Sequence, residues 1–370
     1  MQRFELAFER PGTRGCRVCV GSGATDELIR ETLADPPGRP LVVVSDATVG
    51  RLYGESLAAR LGADGLPVLY LTFPAGESSK SRETKSRLED ELLQGGAGGE
   101  AAFIAVGGGV TGDLAGFLAA TWHRGAPVIQ VPTSLLAMSD AALGGKTAVN
   151  LPGGKNLVGA FHQPLAVYAD IARLSSLPDA VFIEGFAEIV KAAVIADPSL
   201  FEWLASEVPA LTAREPAALE HSVAASLTVK AAVVTRDERE SGWRSILNFG
   251  HTVAHGIEAA SEYRVSHGRA VSIGMVVEAR LAVEATGFPP AAVERLEALL
   301  AALGLPTRLP AEVPLEPLLA ATHRDKKARA GRARYALPIA LGRMDAAGET
   351  LEIGESRLRS LLQELRAGGL

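Results

Sequence analysis

The chain has 370 residues, a formal net charge of −6, and 22% charged, 47% hydrophobic and only 5% aromatic side chains. That length supports two domains with their own cores, and the acidic balance excludes nucleic acid or an anionic membrane as the main partner. It holds no unbroken apolar run long enough to span a bilayer, and the N-terminal MQRFELAFERPGTRGCRV lacks the basic-then-apolar order of a signal peptide, so a soluble cytoplasmic protein is expected.

Taken in chain order, the first motif is the C-x-x-C of Cys16 and Cys19, the only two cysteines. Such a pair invites a redox motif or half a zinc site. However, GCRVCVGSG alternates as a strand does, which sends residues three apart to opposite faces, and no second ligand pair lies nearby. Two ordinary strand cysteines are the expectation. PLVVVSDATVG then reads as a short apolar strand ending in Asp46 and a turn. LPVLYLTFPAGESSKSRETKSRLEDELL reads as strand, Pro-Gly loop and charged amphipathic helix. EAAFIAVGGGVTGDLAGFLAATW gives strand, glycine turn and small-residue helix, and APVIQVPTSLLAM gives a further strand and turn. Short buried strands alternating with helices imply a largely parallel sheet covered on both faces.

After about residue 178 the pattern becomes helical, broken by single Pro or Gly, as far as about residue 305. RARYALPIAL reads as one late strand and SRLRSLLQELRA as a closing helix. The expected fold is α/β: an N-terminal Rossmann-like, mainly parallel sheet domain over 1–178 and a mainly α-helical domain over 179–370, with the site in the interdomain cleft.

GGGVTG carries G-x-G-x-x-G at Gly107, Gly109 and Gly112, directly after a strand and opening a helix. In that setting backbone N–H groups and a helix N-terminus receive a pyrophosphate. The acidic ribose partner expected about 20 residues later is missing, and Asp46 is the substitute on offer. DAALGGKTAVN resembles a P-loop but has Asp140 where the first glycine must curl the backbone, which excludes a nucleotide-triphosphate site. What remains there is a loop of small residues with Lys146, Lys155 and Asn156, suited to a small anion.

Glu184, Glu188 and Lys191 sit at helical spacing in IEGFAEIVKAA, amid almost wholly apolar neighbours, so they can share one half-buried face. In LNFGHTVAHGIEAA, His251 and His255 are four apart, as in H-E-x-x-H zinc enzymes, but Thr252 replaces the glutamate base. His267 follows in a turn. Glu188 with two of these histidines supplies three ligands for a Zn2+-like ion with open positions, and spacing leaves open which two.

The motifs GGGVTGDLAGFLAATWHRG, VPTSLLAMSDAALGGKTAVNLPGGKNLVGAFHQP, EGFAEIVK and SGWRSILNFGHTVAH with HGRAV resemble the 3-dehydroquinate synthase family, of the sugar-phosphate cyclase superfamily. The resemblance runs from about Asp46 to near residue 331. It implies conversion of 3-deoxy-D-arabino-heptulosonate 7-phosphate to 3-dehydroquinate and phosphate, a step of the shikimate pathway, with bound NAD and a divalent metal, Zn2+ or Co2+. The sequence of events it implies is transient oxidation, phosphate elimination, reduction, ring opening and intramolecular aldol closure. By position, it implies Glu188, His251 and His267 as metal ligands and His255 as a histidine near the substrate phosphate. Asp46, Glu77, Lys80, Gly108, Gly109, Val110, Asp113, Thr133, Ser134, Asp140, Lys146, Lys155 and Ser176 match its NAD side. Arg124, Lys146, Asn156, Lys191, Lys230, Arg244, Asn248 and the Lys326–Lys327 pair match its substrate side, with Arg124 reaching in from the neighbouring subunit of a homodimer.

Two departures stand out. Arg269 follows HG where the family commonly has an acid, and SDAALGGK replaces a more hydroxyl-rich stretch. Arg269 is expected to find a surface partner. The competing expectations are a cyclase of sedoheptulose 7-phosphate or glucose 6-phosphate, a metal- and NAD-dependent polyol dehydrogenase, and a non-catalytic sugar-phosphate binder. Lys230 and Arg244 together with Asn156 and Asn248 favour a substrate that carries a carboxylate.

Overall fold

The computed structural model describes residues 1–8, 15–97, 99–152, 154–324, 333–345 and 347–366. The chain forms two compact units, one of Met1–Leu177 with Leu219–Leu227 and one of Pro178–Ala218 with Thr228–Leu370.

The first unit is built on strands β1 (Gln2–Leu6), β2 (Cys16–Val20), β3 (Leu41–Asp46), β4 (Val68–Phe73), β5 (Ala102–Gly107), β6 (Val128–Pro132), β7 (Lys146–Leu151), β8 (Gly154–Phe161) and β9 (Ala166–Ala169). Seven of them form one sheet in the order β1-β2-β9-β6-β5-β3-β4, parallel except for the β1–β2 pair. Helices α1 (Ala24–Ala34), α2 (Glu55–Gly62), α3 (Arg82–Gln94) and α4 (Gly109–Thr121) accompany it. The period of two explains the two-sided core. Val42, Val44, Phe103 and Ala105 point into a cluster with Leu88 and Leu114. Leu41, Val43, Ile104 and Val106 point the other way, onto Leu28, Leu57 and Leu61. Cys16 and Cys19 are free and buried in β2, and burial pushes the Cys16 thiol up to about 12, so it is inert.

Chain direction reverses between β3 and β5. The chain leaves β3 for β4 on one side and returns to β5 on the other. In an open parallel sheet, ligands settle at such a switch point, outside the carboxyl ends of the strands. Those ends are Asp46 and Gly107.

Lys146, Lys155 and Asn156 fall in an antiparallel hairpin, β7–β8, rather than in the loop expected. Thr147 and Val149, β-branched and buried, make β7 a strand despite the neighbouring glycines. The hairpin lies so close to α4 that a Cβ at Gly116 would come within 2.5 Å of Thr147 Cγ2.

The second unit is mainly helical: α5 (Asp179–Glu184), α6 (Phe186–Ala196), the ends of α7 (Pro216–Arg236), α8 (His251–Ala260) and α9 (His267–Ala285), with further helices at Pro198–Ser206, Pro290–Ala302, Leu315–Arg324 and Glu355–Glu364. Helix α7 is long and apolar enough to cross a membrane, yet 67% of its apolar window is buried inside protein. It is a core helix. The single late strand expected after residue 331 is two short ones: Arg334–Tyr335 pairs with Leu351–Glu352, and Pro338–Ala340 with Arg343–Met344. Pro338 has no N–H to continue the first pairing.

Candidate active site

The densest chemistry lies where α6, α8 and α9 meet. Helix α6 is apolar nearly throughout, and Phe186–Ile195 are all buried, so Glu188 and Lys191 go under with it, 2% and 3% exposed. Three residues apart, they form an ion pair, Lys191 Nζ with Glu188 Oε2. Glu188 Oε1 faces His251 Nε2 and His267 Nε2, each at 3.5 Å. Ligand atoms about 2.1 Å from one tetrahedral centre stand about 3.4 Å apart, so the three donors have the spacing of a Zn2+-type site. Glu188 Oε1 is buried and accepts no hydrogen bond, which also suits a metal. The potential ligand atoms of Glu188, His251 and His267 all lie within 4.8 Å of one another, and His255 is outside the group.

Each ring is oriented from behind. His251 Nδ1 lies 3.2 Å from the Phe249 carbonyl, and His267 Nδ1 lies 3.5 Å from Glu258 Oε2. Both leave Nε2 for the centre, the usual support for a metal-bound imidazole. Burial opposes charge on His267, but the Glu188 and Glu258 carboxylates outweigh it and push the ring up to about 10. Burial likewise raises Glu188, yet Lys191 and His267 hold it below the ordinary carboxylate range. Glu188, His251 and His267 would hold a divalent metal here, with the ion taking the place of a proton on His267.

Helix α8 has no side-chain cap of its own. It starts after Gly250 at φ 82, and the fully buried Glu278 of α9 caps it from across the packing interface. Glu278 Oε2 accepts from Gly250 N–H at 2.7 Å and Oε1 from Val253 N–H at 3.1 Å. The approach is possible because residue 274 is glycine: a Cβ there would meet the Gly250 carbonyl at 2.0 Å. Neither Glu258 nor Glu278 is singled out by the sequence. The available signal for Glu258 is its position seven residues after His251, two turns along one helix face.

Two expectations need correction. His267 begins α9 behind an extended Ser266 and is not in a turn. Glu184 does not join Glu188 and Lys191: α5 ends there, and its carboxylate accepts from the Ser266 hydroxyl. Burial raises the Glu184 carboxyl, opposed by the Ser266 hydroxyl and the Arg269 charge. The charge of Arg269 thus falls on Glu184.

Three of the remaining second-unit positions, Lys230, Arg244 and Asn248, are buried polar groups. Lys230 of α7 is 6% exposed and Arg244 only 1%. Arg244 donates to the Glu238 carbonyl at 2.5 Å, and its N–H to Asp237 Oδ2 at 3.0 Å. Asn248 donates to Glu240 at 3.1 Å. His255, exposed, packs edge-on to His251 with ring centroids 5.7 Å apart. Lys326 and Lys327 lie outside the described residues.

In the first unit, Asp46 and Gly108 stand at the switch point, at the ends of β3 and β5. Asp46 ends β3, caps the turn after it through Thr48 N–H at 2.8 Å, and lies 3.5 Å from the Thr111 hydroxyl. Gly108 stands at the start of α4, which also carries Gly109, Val110 and Asp113. Thr133 N–H donates to the Gly107 carbonyl at 3.0 Å, and Ser134 Oγ accepts from Ala137 N–H at 3.3 Å. Asp140 sits in the turn that follows. Lys80, 4% exposed, donates to Asp113 and to Asn156. Glu77 accepts from Asn150 at 2.8 Å, and Asn150 is a further residue the sequence leaves unmarked. Ser176 accepts from Tyr53 at 2.6 Å. Lys146 is exposed in β7 and Lys155 half-buried in β8. Arg124 is exposed, at φ 65, directly after His123 at φ 46.

A dinucleotide-type glycine turn at the switch point of one unit and a carboxylate–histidine metal cluster in the other define a class: enzymes that treat small molecules with a nucleotide cofactor and a divalent metal. Residues 70–184 match the model of the 3-dehydroquinate synthase N-terminal region, and 185–328 that of its C-terminal region. The 3-dehydroquinate synthase of Halorhodospira halophila (strain DSM 244 / SL1) is 44% identical over 343 residues, covering 91% of this chain and 94% of that protein. The chain belongs to the 3-dehydroquinate synthase family. Among solved structures, a 2-deoxy-scyllo-inosose synthase complexed with carbaglucose-6-phosphate, NAD+ and Co2+ matches with a TM-score of 0.89 and 27% identity, over 98% of this chain and 100% of its own. The 2-epi-5-epi-valiolone synthase from Streptomyces hygroscopicus subsp. jinggangensis 5008, with NAD+ and Zn2+ bound, matches at 0.85 and 27%, over 97% and 99%.

Proposed function

We infer that the chain converts 3-deoxy-D-arabino-heptulosonate 7-phosphate to 3-dehydroquinate and phosphate, as a carbon–oxygen lyase that uses NAD and a divalent metal, Zn2+ or Co2+. The observation that carries the reading is the Glu188–His251–His267 cluster with Lys191 locked onto Glu188, in a chain 44% identical to a protein of that activity. The two solved cyclases of other names stand lower, at 27%. An acid substrate is further supported by Lys230 and Arg244. Both are buried cations, and a sugar phosphate with a carboxylate carries two anionic groups of the kind that lysine and arginine bind.

Glu188, His251 and His267 are the metal ligands in this reading. Asp46, Glu77, Lys80, Gly108, Gly109, Val110, Asp113, Thr133, Ser134, Asp140, Lys146, Lys155 and Ser176 hold NAD, with the pyrophosphate at the N-terminus of α4. When bound, the two groups supply reversible hydride transfer at one ring carbon and polarisation of the oxygens there. The side chains do the rest. Lys191 and Asn156 orient the ring hydroxyls, while Lys146, Lys230, Arg244, Asn248 and the Lys326–Lys327 pair hold the phosphate and carboxylate. A ketone beside the C–H makes that proton acidic, and cations around the phosphate stabilise it as it leaves. His255 stands at the phosphate to hold a proton. The expected assembly is a homodimer in the cytoplasm, with Arg124 completing the neighbour's site.

Phosphate release from the heptulosonate phosphate, with trace NAD+ and Zn2+, tests this against sedoheptulose 7-phosphate. Many turnovers per NAD+ on the acid substrate alone are expected. Release from sedoheptulose 7-phosphate alone would transfer the chain to another cyclase activity. Stoichiometric NADH without phosphate release would make it a dehydrogenase.

A further inference from the structure

The β7–β8 hairpin is not a regular ladder. Val149 pairs with Val158, but Leu151 pairs with Gly154, so Asn150 faces three residues of β8 instead of one. In the middle of that bulge Asn156 takes φ 55, a left-handed conformation uncommon outside glycine but one that asparagine tolerates better than most residues. A displaced backbone loses the carbonyl its N–H would have met. The Asn150 side chain replaces it: Asn156 N–H donates to Asn150 Oδ1 at 3.0 Å. The other end of the same amide donates from Nδ2 to Glu77 Oε1 at 2.8 Å, and the Asn150 N–H donates to the Lys80 carbonyl at 2.7 Å. Beyond the bulge, Lys80 Nζ donates to Asn156 Oδ1 and to Asp113.

We propose that Asn150 is a positioning residue. Its carboxamide pins Asn156 in the left-handed conformation that turns its side chain toward Lys80, and it tethers the exposed carboxylate of Glu77. Bulges beside active sites re-aim side chains, and here a single amide fixes both the bulge and its neighbour. The inference rests on the proposed roles of Glu77 and Lys80 toward NAD and of Asn156 toward substrate. An amide suits the position for a specific reason. An aspartate can still accept from Asn156 N–H, but it cannot donate to Glu77 and sets one carboxylate against another. Alanine loses both bonds.

The test compares Asn150→Ala and Asn150→Asp with the parent by four measurements: NAD+ Kd on the metal-loaded enzyme, substrate KM and kcat, melting temperature, and amide exchange at Asn156. In Asn150→Ala, kcat/KM is expected to fall by about tenfold or more and NAD+ to bind several-fold more weakly, with little change in melting temperature. The Asn156 amide should exchange faster. Asn150→Asp is expected to keep substrate KM and Asn156 protection near the parent's while NAD+ binding weakens. Unchanged kinetics and Kd in Asn150→Ala would overturn the proposal. So would losses in both variants that simply track a fall in melting temperature, since that is a folding role. A parent that releases no phosphate overturns the proposed activity, whereas Asn156 exchange and NAD+ Kd still report on the tether.

Discussion

Glu188 and Lys191 show how much a residue's neighbours decide. Three apart on an exposed face they would be a solvated pair of little consequence. On α6, with Phe186–Ile195 all buried, the same pair is held where two imidazoles converge on Glu188 Oε1. Their spacing was legible in the sequence because α6 is regular from Phe186 onward. Glu184 was not, since α5 ends at it and Ser266 offers a nearer partner. The two histidines four apart separate in the same way. His251 faces Glu188, and His255 is left exposed. Glu188→Ala and His251→Ala are therefore expected to lose bound metal and activity together. His255→Ala should keep its metal through dialysis and lose kcat by about 10²–10⁴. Metal content and kcat on the same preparations check this, and equal metal loss in His255→Ala would make it a ligand after all.

At the scale of elements, periodicity located the buried strands and long helices, because burial on both faces or on one stripe leaves a repeating apolar mark. It could not locate what side chains build out of irregular backbone. The β7–β8 hairpin carries a bulge closed by Asn150, and glycines hide its alternation. The segment after α7 is another case, organised round one carboxylate. Asp237 accepts from Ser241 N–H at 2.8 Å, Ser241 Oγ at 2.9 Å, Gly242 N–H at 2.9 Å and Arg244 N–H at 3.0 Å. Burial raises its carboxyl, but the Arg244, Ser241 and Gly242 N–H groups outweigh it and hold it at about 2. A carboxyl depressed in the fold stabilises fully above its unfolded value of about 3.9, and that contribution is lost as pH falls through about 2. Asp237→Asn is expected to melt roughly 2–5 °C below the parent at pH 6. The gap should narrow between pH 4 and pH 2, because asparagine does not titrate. A gap constant with pH would mean that geometry, not charge, makes the bond.

Over the whole molecule, the first unit carries the glycine turn and the second the metal cluster, so each expected half of the chemistry has its own scaffold. Arg124 belongs to neither core. It follows His123 at φ 46, stands at φ 65 and precedes Gly125 at φ 133, three successive residues with positive φ. The turn is fixed from both sides, by Gly125 N–H on the Trp122 carbonyl at 2.9 Å and Ala126 N–H on the Ala119 carbonyl at 2.8 Å. Left-handed backbone at two non-glycine residues is costly, and the second of them carries an exposed guanidinium. In the proposed homodimer, the same arginine would serve both sites by exchange. Arg124→Ala and Lys191→Ala should each be inactive as homodimers. A heterodimer purified through two different tags then holds one site with Arg124 and Lys191 both intact and one lacking both. It is expected to recover about half the parent's turnover per dimer. A heterodimer as inactive as either homodimer would place Arg124 in its own chain's site, and failure to recover any doubly tagged species would remove the dimer itself.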